Sequence, residues 1–373
     1  MPKLYVFNPE NDIALACKPP SFTAPKNALL MGRYCASIMV WLAGENNYVL
    51  VEEMPDERYI KRLTNLIGFR PKFVSDPSGL KIDGIEPWGW SWYLKSQLEQ
   101  AGIDKTLLPD DEKIEKMRML SHRRTSIEIN RLLSAKGIDV RSEAIEAKSV
   151  SEVRAYYDKY ERVVLKAPWS SSGRGVADST QLSREMFEER CKGIIRRQGS
   201  VVMEKYLDKV MDFAMLFEMR KGKARFYGLS RFKNSRMGSY DGNIIASQEK
   251  HEYDIGRLAG YDQLRKIKYS LADVLEDVLG DAYEGYCGVD MMVYRDENKK
   301  LRTAPCIELN LRPTMGVISS EIASRLDFKG NEEFILRTDY DGCKSALSQT
   351  KALIDLTPPN VFTVRIHKSE VAD

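Results

Sequence analysis

The sequence predicts a multidomain chain of mixed α/β and α+β class that opens on a Rossmann-like α/β unit, and three observations carry that expectation. At 373 residues the chain exceeds what one hydrophobic core usually organises, so two or three packed units are expected. Near the amino terminus, strand-like runs at Lys3–Phe7, Tyr48–Glu52 and Pro71–Val74 alternate with segments long enough for crossover helices, Leu30–Leu42 and Asp56–Ile67. Such alternation builds a parallel sheet. Later in the chain, strand-like runs follow one another directly, as in Asp212–Met219 with Ala224–Arg231 and the hairpin Gly288–Leu311.

The remaining elements follow in order. The stretch Glu86–Trp92 holds three of the five tryptophans, which are expected to pack against another domain. Asp110–Leu133 is charged and helical, with Gly137 suited to a helix C-terminal cap, and a boundary is placed at its start. A second unit contains a helix at Ser151–Lys159 with Ser151 as N-cap, a strand at Arg162–Lys166, a helix at Ser183–Arg190 and a strand at Ser200–Glu204. A third contains the paired strands, a loop from Phe232 to Asn243, a helix at Leu264–Leu279 and the hairpin, then a helix at Lys344–Leu356 and a strand at Val361–His367. The expected units are therefore 1–112, 113–200 and 201–373.

Composition narrows the function classes. A formal charge of +3 is too slight to argue for nucleic acid or a membrane surface, and no apolar stretch reaches membrane-spanning length. Six scattered cysteines without a C-x-x-C pair, and three histidines in all, disfavour zinc and iron–sulfur binding. Asn8-Pro9-Glu10-Asn11-Asp12 interrupts any signal-peptide apolar region, so a cytoplasmic location is expected. No G-x-G-x-x-G follows the first strand, which removes support for dinucleotide binding there.

Two distant clusters carry the chemistry. Lys166 ends the apolar run Val163-Val164-Leu165, and Ser170-Ser171-Ser172-Gly173-Arg174-Gly175 follows, a loop of small residues whose backbone N–H groups suit phosphate oxygens. Far downstream, Asp290 and the Glu308-x-Asn310-x-Arg312 pattern offer the hard oxygen ligands that magnesium requires. Period-two alternation puts Glu308, Asn310 and Arg312 on one strand face, and a turn centred near Lys299 sets Asp290 directly opposite Glu308. Facing carboxylates destabilise a strand pair unless a cation neutralises them. Taken singly, each feature is ordinary: Ser/Gly runs connect elements, and strand acids face water.

Three stretches, Val163–Val176, Val201–Leu207 and Gly288–Arg312, resemble the ATP-grasp superfamily, over roughly residues 115 to 320. The resemblance implies a pre-ATP-grasp domain followed by a two-part ATP-grasp fold, with ATP and Mg²⁺ as cofactors and Mn²⁺ as a substitute metal. Carried over by residue, it implies that Lys166 holds the α/β phosphates and that Ser171, Ser172, Gly173 and Gly175 form a flap, with Arg174 as a further phosphate contact. Glu204, Lys205 and Leu207 would bracket the adenine, and Asp212 would take the ribose. Asp290, Glu308 and Asn310 would ligate the metal, and Arg312 would stabilise the transferred phosphoryl group. The family's earlier basic residue falls at Arg123 or Arg124.

The implied activity is ADP-forming ligation of a small-molecule carboxylate to an amine, or to a thiol, through an acyl phosphate. A kinase on the same scaffold and a non-catalytic nucleotide binder are the alternatives. The cationic stretch Arg231–Asn243, including Arg231 and Lys233, suits a lid over the γ-phosphate and an acidic substrate. Asn8–Asp12, directly after the first strand, lies where open α/β sheets bind ligands, and its acids and amides suit an amine. The same residues also read as a capped helix start. A homodimer is left open.

Overall fold

Parallel pairing holds the amino-terminal strands of this computed structural model, which describes residues 1–17, 22–141, 143–170, 175–234, 240–326, 333–340 and 352–369. Strands β1 (Lys3–Val6), β2 (Tyr48–Leu50), β3 (Lys72–Val74) and β4 (Gly84–Pro87) form a sheet in the order β3-β2-β1-β4, every pair parallel. Helices α1 (Asn11–Leu15), α2 (Lys26–Cys35) and α3 (Val40–Ala43) separate β1 from β2, α4 (Glu57–Ile67) separates β2 from β3, and α5 (Trp92–Gln100) follows β4. Helix α4 shows why the local sequence works. Asp56 accepts from the Tyr59 amide at its start, Gly68 ends it at φ 85, and Tyr59, Ile60, Leu63 and Ile67 turn one face inward.

Onward, α6 (Asp111–Leu120) and α7 (Arg124–Ala135) lead to β5 (Ile145–Ala147), α8 (Val150–Lys159), β6 (Val163–Lys166), β7 (Val176–Asp178), α9 (Arg184–Gln198) and β8 (Val201–Lys205). The four strands form an antiparallel sheet in the order β5-β8-β6-β7. The N-cap of helix α8 lies two residues earlier than expected: it is Ser149, not Ser151, because Glu152 three residues on completes a reciprocal capping box.

The rest of the chain comprises β9 (Asp208–Arg220), β10 (Lys223–Asn234), β11 (Tyr240–Ile245), α10 (Gln248–Ala259), α11 (Tyr261–Leu279), β12 (Gly285–Arg295), β13 (Leu301–Asn310), α12 (Met315–Arg325), β14 (Phe334–Tyr340), β15 (Ala352–Asp355) and β16 (Phe362–Lys368). Two expectations are corrected here. Phe232 to Asn234 belong to β10 and Tyr240 to Asn243 to β11 rather than to a loop, the long partner strand β9 pairing as far as Asp212 opposite Phe232; residues 235–239 lie outside the described residues. The expected helix at Lys344–Leu356 is a strand over Ala352–Asp355, paired along β16 and fixed by Arg365 Nε on Asp355 at 2.9 Å; residues 344–351 lie outside the described residues.

The chain divides into two compact units: Met1–Lys116 with Asp241–His251 and Arg312–Asp373, and Met117–Tyr240 with Glu252–Leu311. In the first, β11, β14, β16 and β15 are neighbours in that order, all antiparallel. Its core joins Trp41, Leu63 and Trp88 from the amino-terminal part to Ile318, Leu336 and Val364 from the carboxyl-terminal part. In the second, β13-β12-β9-β10 run antiparallel. Asp290 pairs with Glu308 as expected, although Arg295 opposite Leu301 centres the turn on Asn298 rather than Lys299. A bulge between Asp290 and Met292 absorbs the difference. Lys299 adopts φ 60, and Asp296 holds the turn by accepting from the Asn298 and Lys300 amides at 2.9 Å each.

Candidate functional site

Within the second unit, β12 and β13 bring two acids together. Val289, Met291 and Val293 are buried, which turns Asp290 to the opposite face, directly across from Glu308. Asn310 Nδ2 donates to Asp290 Oδ2 at 3.1 Å. Arg123, just before α7, sets its Nη2 3.0 Å from Glu308 Oε1 and 3.2 Å from Ser170 Oγ. Its backbone amide donates to Pro168 O at 3.1 Å, and its buried Nε has no partner among the described residues. One guanidinium therefore ties the start of the phosphate-type loop to the carboxylate strand and keeps a donor in reserve. Of the two arginines that the sequence left open, Arg123 is the one in this position; Arg124 lies 4.0 Å from Glu146.

Lys166, at the end of β6, is buried, pairs with Glu204 Oε2 of β8 at 2.5 Å and reaches Ile307 O of β13 at 3.5 Å. The two clusters, more than a hundred positions apart in sequence, thus converge on one face. The loop after Lys166 closes where the Ala167 amide donates to Gly175 O at 2.7 Å. A Cβ on residue 175 would sit 2.3 Å from Ser170 Oγ, so glycine is required there. Ser171, Ser172, Gly173 and Arg174 lie outside the described residues.

Sequence reasoning missed the support beneath this loop. Trp169 Nε1 donates to Arg118 O at 2.9 Å, the Arg118 guanidinium lies 3.8 Å from the indole centroid, and Gln198 bonds the Trp169 backbone on both sides. His122 packs edge-on against that indole, accepts the Arg124 amide at Nδ1 and meets Ser200 Oγ at 3.3 Å. Burial pushes its pKa down to about 4 against the opposing pull of Glu146, so the ring is neutral at pH 7. A lone histidine and an isolated tryptophan in a loop carry no spacing signal that would have found them.

Among the described residues, no three His, Cys, Asp or Glu side chains cluster tightly enough to hold a metal unaided. Two facing carboxylates with a neighbouring amide fit Mg²⁺ nonetheless, since that ion takes one or two carboxylates and completes its shell with phosphate oxygens and water.

No protein-family model matches the sequence, and no curated protein matches it. Solved structures do. A carboxyaminoimidazole ribonucleotide synthase from Aspergillus clavatus, complexed with ATP, aligns over 99% of this chain and 94% of its own at 12% identity, with a TM-score of 0.50. The N5-carboxyaminoimidazole synthetase from Staphylococcus aureus, complexed with ADP, covers 99% and 93% at 14% identity and a TM-score of 0.48. A biotin carboxylase from Campylobacter jejuni covers 98% and 87% at 13% identity and a TM-score of 0.49. The chain has an ATP-grasp fold.

Against the positions that the ATP-grasp resemblance assigns to nucleotide contacts, the structure gives mixed surroundings. Glu204 is engaged with Lys166, Lys205 pairs with Glu297 at 2.5 Å, and Leu207 is half-buried between β8 and β9. Asp212 is buried and accepts from Lys209 Nζ at 2.6 Å and Asn234 Nδ2 at 2.9 Å; burial raises its pKa despite those bonds. Arg231 is not a lid cation. It is buried in β10, with Nη1 3.0 Å from Asp254, while Lys233 on the same strand is exposed.

The first unit holds Arg312. The expected shared strand face with Glu308 and Asn310 is corrected, because β13 stops at Asn310. Arg312 Nε and Nη2 instead lie 3.0 Å from Asp12 Oδ2, and the guanidinium is 5.9 Å from the Trp88 ring centroid. Asn8–Asp12 thereby separates into roles. Asn8 exchanges both hydrogen bonds with Gly89, and the Asn11 amide donates to Gly89 O and Trp90 O at 3.0 Å each. The expected helix does start here, with Glu10 as N-cap but without a side-chain cap bond.

Glu10 is buried, and that burial pushes its pKa from 4.5 up to about 7. A raised carboxyl pKa means the folded state binds the proton more tightly, so stability falls as pH rises from 4.5 to about 7. Glu10→Gln is therefore expected to stabilise the protein by about 3 kcal/mol at pH 8 and to change little near pH 4. Urea unfolding at the two pH values measures the difference.

Of the described cysteines Cys17 is half-buried and the other four lie in the core, while Cys343 lies outside the described residues. Cys35, Cys191, Cys287 and Cys306 are buried, and burial pushes each thiol up to about 12. Among the described residues, no helix is long and apolar enough to cross a membrane.

Proposed function

We propose that the chain is an ATP- and Mg²⁺-dependent ligase that activates a small-molecule carboxylate as an acyl phosphate and joins it to an amine, releasing ADP and phosphate. The observation that carries this reading is the bridge in the second unit: Arg123 contacts both Ser170 and Glu308, and Lys166 reaches Ile307. The start of a phosphate-type loop and the strand that carries the carboxylates are thereby tied together. Positioning two anions that repel one another is the main task in such a reaction, and it is performed by fixed charges rather than by covalent chemistry.

In this reading Asp290, Glu308 and Asn310 hold the metal, and Lys166 and Arg123 neutralise phosphate oxygens. Gly175 closes the loop over them, with Ser171, Ser172, Gly173 and Arg174 as its contacts. Glu204, Lys205 and Leu207 bracket the adenine and Asp212 takes the ribose. Arg312, oriented by Asp12, stabilises charge on the transferred phosphoryl group. Mg-ATP, when bound, supplies the phosphoryl group and the charge that lets the two facing acids coexist. A cytoplasmic setting accords with reduced, buried thiols.

Hydroxylamine trapping tests the proposal. With Mg-ATP and a panel of small carboxylic acids, the protein is expected to form a hydroxamate from at least one acid, with stoichiometric ADP. A stable phosphorylated acceptor without hydroxamate would replace the ligase reading by the kinase one.

A further inference from the structure

The first unit contains a cavity of about 310 Å³ at the carboxyl ends of β1 and β2, walled by apolar side chains that include Val6, Leu50, Leu94 and Leu98. Its volume corresponds to about ten water-sized groups, enough for a small organic molecule. Two polar groups on its lining are unmatched. Glu10 is 5% exposed, and its carboxylate meets no hydrogen-bonding side chain or cation among the described residues, its own backbone amide apart. Arg33 is the one basic residue on the lining, and its Nη atoms are committed to Glu52, at 3.3 Å, and to Glu53. Its Nε is buried and has no partner among the described residues.

The neighbours of Glu10 in sequence do not share its condition. Asn8 and Asn11 are spent on the Gly89–Trp90 backbone, and Asp12 is spent on Arg312. Of these side chains, Glu10 has no structural task that explains an acid, and a hydrophobic or amide residue would fill its place at lower cost. A buried carboxylate beside an apolar chamber is matched by a ligand that brings its own positive charge and its own donors, and a primary ammonium brings both. The apolar walls call for a short hydrocarbon body, and the orphaned Arg33 Nε calls for an acceptor on it.

We propose that this cavity binds a small primary amine with an apolar body, with Glu10 as its counter-charge. The inference concerns binding in the first unit and stands whether or not the ligase reading does.

Isothermal titration of the full chain with n-butylamine, n-butanol and L-leucine tests it, with Mg-ATP titrated separately to report on the second unit. The amine binds and n-butanol binds roughly tenfold or more weakly, the difference a charge-assisted bond makes. L-Leucine, which adds a carboxylate acceptor, binds tighter than n-butylamine. Glu10→Gln, an isosteric change, reduces amine affinity by roughly tenfold or more. Leu98→Trp, which fills the chamber and leaves Glu10 in place, also abolishes binding; thermal melts establish that each variant is folded. Equal binding of n-butylamine and n-butanol, or amine affinity unchanged in folded Glu10→Gln, overturns the proposal even where Mg-ATP binds as expected.

Discussion

Replacing Asp290 with asparagine, or Glu308 with glutamine, is expected to weaken Mg²⁺-dependent ATP binding by roughly 100-fold or more, since even outer partners of a metal commonly contribute 10- to 100-fold. The two variants then part company when no nucleotide is present. Asp290 faces Glu308 across the strand pair and accepts from the neutral Asn310 amide at 3.1 Å. Removing its charge relieves repulsion, so Asp290→Asn melts higher than the parent without ligand. Glu308, by contrast, is the anion that Arg123 contacts at 3.0 Å, and Arg123 is 7% exposed. Glu308→Gln leaves a buried guanidinium without its carboxylate and melts lower. Thermal shift with and without Mg-ATP reads all four conditions, and parental Mg-ATP shifts in both variants would remove these acids from the metal site.

The legible parts of this site were those written in local periodicity. Alternation along Gly288–Tyr294 and Cys306–Asn310, with polar turn residues between them, located Asp290 opposite Glu308 even though a bulge moved the turn centre by one residue. Arg312 was misplaced by the same rule, applied two residues beyond where the strand stops. Arg231 was misread for a different reason: Lys, Arg, Ser and Gly in succession look like a surface loop, and what keeps Arg231–Asn234 extended is the distant partner β9 together with the buried carboxylate of Asp254. Long-range closure of the first unit was equally hidden. Val364 falls in a strand expected from the sequence, and nothing local says that it, Ile318 and Leu336 complete the core around Trp41 and Leu63. Arg123 was distinguishable from Arg124 through burial, a property of the assembled core rather than of the helix start that both residues share.

Lys166 is where stability and nucleotide binding are expected to separate most cleanly. Its ammonium is buried and paired with Glu204 at 2.5 Å, an anion that competes with any phosphate for the same charge. Lys166→Met removes a charge-assisted contact worth about 1.5–3 kcal/mol, so ATP affinity falls by roughly 10- to 100-fold. It also strands Glu204, whose side chain is 18% exposed, and breaking such a pair from one side costs about 3–5 kcal/mol when fully buried, less here because of that exposure. The double variant Lys166→Met with Glu204→Gln removes the stranded charge, and it regains most of the lost stability without regaining ATP affinity. Glu204→Gln alone frees the ammonium from its competitor and binds inorganic triphosphate more tightly than the parent. Calorimetric titration with triphosphate and urea unfolding of the three variants measure the two effects independently. If the double variant recovered nucleotide binding along with stability, the lysine would be a structural partner of Glu204 and the phosphate contacts would belong to Arg123 and the loop.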